Sequence, residues 1–200
     1  MRLYDFLDSG NGYKARLLLH KLGLSYERVE LDILKGETRT EAFLTKNPNG
    51  RVPALELDDG TVLPESNAIL AYLADGSRFL PEDRLRRAQC LQWMFFEQYN
   101  HEPSIAVARY ILRHTPEDSP RRAELPTLAE KGNAALGVME RHLDGRRFFV
   151  GERLSVADIA LYAYSHVADQ GGFVLSHYPN VQGWLDRVAA DEPHVPITAG

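Results

Sequence analysis

Residues 47–66 read NPNGRVPALELDDGTVLPES, and this stretch decides the fold. Residues 54–57 and 61–63 are short runs rich in apolar side chains on either side of Asp58-Asp59-Gly60. An Asp-Gly pair between two such runs predicts a β-hairpin, because glycine supplies the positive φ that a tight turn requires. Pro53 stands at the head of the first run, where a proline costs no interior ladder bond. Directly after the hairpin, residues 66–74 place Ile69, Leu70 and Leu73 at helical spacing, with Ser66 as the expected N-cap. The stretch is therefore a ββα unit.

Upstream, residues 3–7 form a short apolar strand candidate, 8–12 a loop, and 13–22 a helix. Ala15, Leu18, Leu19 and Leu22 share one face of that helix, and Gly23 stops it. Residues 26–31 alternate as a second strand. Strand, helix and strand within thirty residues imply a parallel pair with a right-handed crossover. With a short helical stretch at 41–46, the first half reads βαβ, α, ββα, an α/β sandwich of thioredoxin type. Residues 1–76 are assigned to this domain, 77–83 to a linker and 84–200 to an all-helical domain. In the latter, 84–114 reads as one long helix kinked at Pro103, with Leu85, Ala88, Leu91, Phe95 and Tyr99 on one stripe. Residues 125–143 and 181–190 are further helices. Residues 156–168 are apolar nearly all round, as a buried central helix is. Ser155 with Asp158 predicts a capping box, and Leu154 with Ile159 a hydrophobic staple.

The chain has 200 residues, 44% of them hydrophobic and 26% charged, which excludes a disordered chain. No apolar run nears the ~20 residues of a membrane-spanning helix, and no secretory signal is visible. The net charge of −5 argues against nucleic acid as a partner. Cys90 is the single cysteine, so a disulfide, a CxxC pair and a cysteine-based zinc cage are all excluded within one chain. The seven histidines show no HExxH and no close pair, so no metal is expected. A reducing, cytoplasmic setting fits this composition.

Three segments carry candidate chemistry. Ser9-Gly10-Asn11-Gly12 offers a hydroxyl, an amide and backbone N–H groups at a helix N-terminus, where the dipole favours an anion. Ser9 and Asn11 acting only as helix caps is the competing reading. Val52-Pro53 is either an ordinary trans edge proline or a cis bond exposing the Val52 backbone to an extended peptide. In Pro64-Glu65-Ser66, a helix N-terminus suits a carboxylate while Glu65 suits an ammonium group. Together they describe a ligand with an amino-acid head, a peptide-like middle and a thiol.

The runs SGNGYKARLLLHKLG (9–23), NPNGRVPAL (47–55), PESNAILAYL (64–73) and GERLSVADIALYAY (151–164) together resemble a cytosolic glutathione transferase over practically the whole chain. The resemblance implies a thioredoxin-like N-terminal domain, an all-helical C-terminal domain, glutathione as co-substrate and a homodimer. It implies a cis Pro53, Val52 on the cysteinyl backbone, and Glu65 with Ser66 on the γ-glutamyl head. One of Thr38, Arg39 and Lys46 is implied to hold the glycyl carboxylate. Ser9 matches the hydroxyl of serine-type members, while Asn11-Gly12 is similar to the bacterial nu-type and fungal prion-related members. Activation of the glutathione thiol by Ser9 and Asn11 for attack on an electrophile, a detoxification chemistry, is the expected function. Reduction of disulfides or hydroperoxides is the alternative, and a non-catalytic binding or dimerisation protein a further one. Trp93, Phe96, Tyr99, His101, Arg109, Tyr110 and Phe173 are the candidates for a hydrophobic acceptor pocket. Cys90 is expected to be an inert core thiol.

Overall fold

The computed structural model describes residues 1–199. It divides into two compact units: Met1–Asp75 together with the segment from Glu192 onward, and Gly76–Asp191. The first carries a four-stranded sheet in the order β2-β1-β3-β4, with β1 at Arg2–Asp5, β2 at Glu27–Glu30, β3 at Ala54–Glu56 and β4 at Val62–Pro64. β1 and β2 are parallel, and β3 and β4 form the antiparallel hairpin around Gly60. Three helices complete it: α1 at Gly10–Leu22, α2 at Glu41–Leu44 and α3 at Ser66–Ala74. One face of the sheet buries Leu3 and Leu55 against Ala15, Leu19 and Ile69 of α1 and α3, and the other packs Tyr4 and Ala54 on Phe43. This is the thioredoxin-like architecture expected.

Gly23 ends α1 in the left-handed conformation (φ 65°), donating its N–H to His20 O. α1 starts three residues earlier than the periodicity indicated, because Ser9 rather than a later residue caps it. α3 also starts differently. Glu65 is its N-cap and makes no side-chain cap bond, so Ser66 is the first helical residue and not the cap.

The second unit is helical: α4 at Arg84–Phe96, α5 at Glu102–His114, α6 at Leu125–Leu143, α7 at Val156–Ser165 and α8 at Pro179–Ala189. The break between α4 and α5 is a π-helical turn over Glu97–His101, with Pro103 just beyond it in the first turn of α5. A proline cannot donate to the helix behind it, so the ladder loosens upstream of the ring rather than at it. Every residue of α7 is buried. The capping box is present: Ser155 N and Oγ reach Asp158 Oδ2 at 2.9 and 2.8 Å.

Two boundaries differ from the sequence reading. Residues 77–83 are no free connector, since Phe79 and Leu80 are buried and Val156 donates to Phe79 O at 2.9 Å. The C-terminal segment lies along α1 rather than with the helical unit. Lys21 Nζ, Tyr13 Oη and Arg16 Nη1 donate to the carbonyls of Pro193, Val195 and Ile197 at 3.1, 2.7 and 2.9 Å, and Arg16 also donates to Ala199 O. The end of this segment is closed by a turn in which Ala199 N donates to Pro196 O at 3.0 Å.

Candidate glutathione site

The sheet register brings the three candidate segments to one edge of the first unit. Tyr4 pairs with Ala54, and Ala54 with Pro64. The loop after β1, the residues before β3 and those after β4 therefore leave the sheet at the same end. The Val52-Pro53 bond is cis, as the resemblance implied.

At the start of α1, Ser9 Oγ accepts from Gly12 N at 3.2 Å. A hydroxyl has two lone pairs and one proton, so capping occupies an acceptor position and leaves the donor available. The cap and the thiol-directed readings of Ser9 are compatible. Gly12 is there for close approach: a β-carbon at this position would overlap Asp5 Oδ1. Asp5 is fully buried and paired with buried Arg16, Nε to Oδ2, at 2.8 Å. Burial pushes the Asp5 carboxyl up to about 6, against the pull of Arg16 in the other direction. Arg16 also donates to Leu7 O at 2.7 Å, which holds the loop that leads into Ser9.

At the start of α3, Glu65 is the one non-glycine residue with positive φ among the described residues, at φ 73° and ψ 111°. Such a conformation costs about 1–3 kcal/mol and is found where a site requires it. Its side chain is exposed, and the N-terminal amides of α3 lack a side-chain cap. The two helix starts meet directly, for Ser66 Oγ lies 3.3 Å from Asn11 Oδ1. Lys14 Nζ lies 3.3 Å from the same hydroxyl. Lys14 is wholly buried, and no local pattern marks it as a site residue, since its partner Ser66 lies on a distant element.

The candidates for the glycyl carboxylate are engaged within the fold. Lys46 Nζ pairs with Glu56 at 2.7 Å, and Arg39 Nη1 donates to Asn49 O at 3.1 Å. Thr38 is buried.

The acceptor-pocket candidates separate into two groups within the helical unit. Trp93 packs edge-on to Phe96 and Phe149, His101 is hydrogen-bonded to Ser165 at 2.8 Å, Arg109 Nε donates to Gln170 at 2.8 Å, and Phe173 covers Gly132. All four are buried, so packing accounts for them. Phe96 and Tyr110 are half-buried and Tyr99 is exposed. Cys90 is buried, and burial pushes its thiol up, as expected of an inert thiol. Among the described residues no cluster of metal-binding side chains occurs, and no helix is long and apolar enough to cross a membrane.

Comparison with known proteins bears on the fold and the family. A glutathione S-transferase from Pseudomonas fluorescens Pf-5 is 56% identical and superposes with a TM-score of 0.95, covering 99% of this chain and 98% of that one. Ure2p in complex with glutathione superposes with a TM-score of 0.85 at 26% identity, covering 96% and 89%. The disulfide-bond oxidoreductase YfcG of Escherichia coli is 29% identical, over 92% of this chain and 87% of that protein. Residues 1–75 match the profile of the glutathione S-transferase N-terminal domain and residues 100–192 that of its C-terminal domain. With both domains present in order, the chain belongs to the glutathione S-transferase family.

Proposed function

We propose that the chain binds glutathione at the meeting point of α1 and α3 and activates its thiol for transfer to an electrophilic small molecule. The observation that carries this reading is the Ser66–Asn11 contact, which joins an uncapped helix start at the strained Glu65 to a side-chain amide in the first turn of α1. The γ-glutamyl carboxylate lies on the amides of α3 and its ammonium on Glu65, while Val52 pairs with the cysteinyl backbone. The glycyl carboxylate falls to Arg39 or Lys46, each of which would exchange its present partner for the ligand. The sulfur lies over α1. Lowering a thiol pKa by one unit requires ~1.4 kcal/mol of preference for the anion. A hydrogen bond to a charged group contributes about 1.5–3 kcal/mol, so Ser9, Asn11 and the helix dipole suffice without a general base.

Disulfide reduction is the second reading, favoured by the similarity to YfcG and by Asn11. The protein's own thiol is buried and burial pushes it up, so in either reaction this reading takes the attacking sulfur from the ligand. In reduction, one glutathione thiolate attacks a disulfide sulfur and expels a thiolate, and a second resolves the mixed disulfide to oxidised glutathione. A homodimer in the cytoplasm accords with the family resemblance. The stripe along α4 and the π-helical turn after it faces outward, with Leu85, Phe95 and Tyr99 exposed by 67, 69 and 84%, which is a surface for a second copy. Phe95→Asp should give a monomer by light scattering where the parent chain gives a dimer.

The site is tested by following the ultraviolet absorbance of glutathione thiolate bound to Ser9→Ala and Asn11→Ala. Each should raise the thiol pKa by about one unit and slow turnover about tenfold at neutral pH. A titration moved by neither substitution would overturn the assignment. Competition between an electrophilic halide and a small disulfide under saturating glutathione ranks the two reactions.

A further inference from the structure

We propose that Lys14 is a positioning residue that sets the orientation of the Asn11 amide through the Ser66 hydroxyl. The proposal rests on the glutathione reading above and extends it to a residue that touches neither sulfur nor substrate.

Lys14 sits one turn into α1 with its side chain wholly shielded from solvent. Removing an amine from water is costly, and a methionine of the same length would fill the space without that cost. What the amine does instead is donate. Its Nζ lies 3.3 Å from Ser66 Oγ, and Ser66 Oγ lies 3.3 Å from Asn11 Oδ1. An ammonium group has donors only, so Ser66 meets it with a lone pair. The single Ser66 proton is then directed at Asn11, which receives it on Oδ1. That order runs one way: Lys14 donates to Ser66, and Ser66 to Asn11.

The consequence falls on the far side of the amide. With Oδ1 held toward Ser66, Nδ2 and its two protons turn the other way, as donors at the start of α1. Reversal would bring the positive edge of the amide toward the Lys14 charge and deprive the Ser66 proton of Asn11. Lys14 also polarises the Ser66 hydroxyl, which strengthens its bond to Asn11. The same hydroxyl belongs to the first residue of α3, where the ligand carboxylate is proposed to lie. Lys14 therefore ties the head of the ligand to the donor for its sulfur, across 55 residues of sequence.

The test compares the parent chain with Lys14→Met, Asn11→Ala and the double variant, titrating the thiolate absorbance of bound glutathione against pH. Lys14→Met should raise the thiol pKa by about one pH unit, lower turnover about tenfold at neutral pH, and recover at high pH. Affinity for S-methylglutathione, which has no ionisable thiol, should change less than about threefold. In the Asn11→Ala background Lys14→Met should leave the pKa unmoved, since the group it positions is gone. A pKa unchanged by Lys14→Met overturns the proposal, as does an equal rise with and without Asn11, which would mean that the lysine acts on the sulfur directly. A merely structural role would lower affinity and rate alike at every pH and would also overturn it. If Lys14→Met does not fold, Ser66→Ala cuts the same relay and must reproduce the pKa rise. If the parent chain binds no glutathione, the functional reading itself falls, a result separate from an unmoved pKa.

Discussion

The starts of α3 and α7 are built from similar residues and do opposite things. At α7, Asp158 accepts from Ser155 N, Ser155 Oγ, Phe149 N and Trp184 Nε1, at 2.8 to 2.9 Å, and all of it is buried. Every oxygen of the carboxylate is in use, so this terminus is closed and its chemistry is folding. At α3, the residue before the helix is an exposed Glu65 with positive φ and no capping bond. That terminus stays open at the cost of backbone strain. Acidic and hydroxyl side chains at a helix start thus have no fixed meaning; whether protein donors already saturate them decides the role.

The largest effect should come from breaking the closed terminus. Asp158→Ala leaves four donors in the helical unit without their acceptor, and should lower stability by about 4–5 kcal/mol in urea unfolding. A loss near 1 kcal/mol would show that the box is a surface-grade cap, and the contrast with α3 would lapse.

At the open terminus the sign should reverse. Glu65→Gly removes the ammonium acceptor and weakens glutathione binding by about 1.5–3 kcal/mol, ten- to a hundredfold in calorimetry. Glycine accepts positive φ without steric strain, so the same variant should unfold at a temperature equal to or above that of the parent chain. A less stable Glu65→Gly would mean that the strain is absent and that Glu65 serves the fold.

A third, smaller effect concerns the start of α1, which rests on Asp5 through Gly12. Burial raises the Asp5 carboxyl from its ordinary value of 3.8 to about 6 in the folded chain. The folded state then holds the proton more tightly than the unfolded one. Stability from this group is complete below about pH 4 and is lost as pH rises through 6. Asp5→Asn should flatten that segment of the stability–pH curve, and a slope unchanged in the variant would assign it to other groups. Gly12→Ala offers a steric counterpart, since its methyl would displace the same carboxylate.

Much of this was legible in local patterns. The hairpin at Asp58-Asp59-Gly60, the span of α3, the stop at Gly23 and the Ser155–Asp158 box each depend on residues within a few positions of one another, where turn and cap chemistry acts. The candidate site was legible in outline, because Ser9, Asn11, Glu65 and Ser66 lie at helix starts whose residue types suit an anion and an amine. Its wiring was not. Lys14 is one letter in a helix of mixed composition, and only the approach of α3 makes it a partner of Ser66.

What the sequence by itself determined is the order of elements, the two-domain plan and the segments that meet at the candidate site. Tertiary structure alone decided which side of each pattern is covered. Leu91, Phe95 and Tyr99 repeat with the same period as a core stripe, yet they face outward, while their neighbours Cys90, Trp93 and Met94 face in. The segment from Glu192 returns to α1, where Tyr13, Arg16 and Lys21 take its carbonyls. The physical reason is the same in each case. Periodicity and capping are set by neighbours along the chain, whereas burial and the partner of a polar side chain are set by whatever distant element packs on top of it.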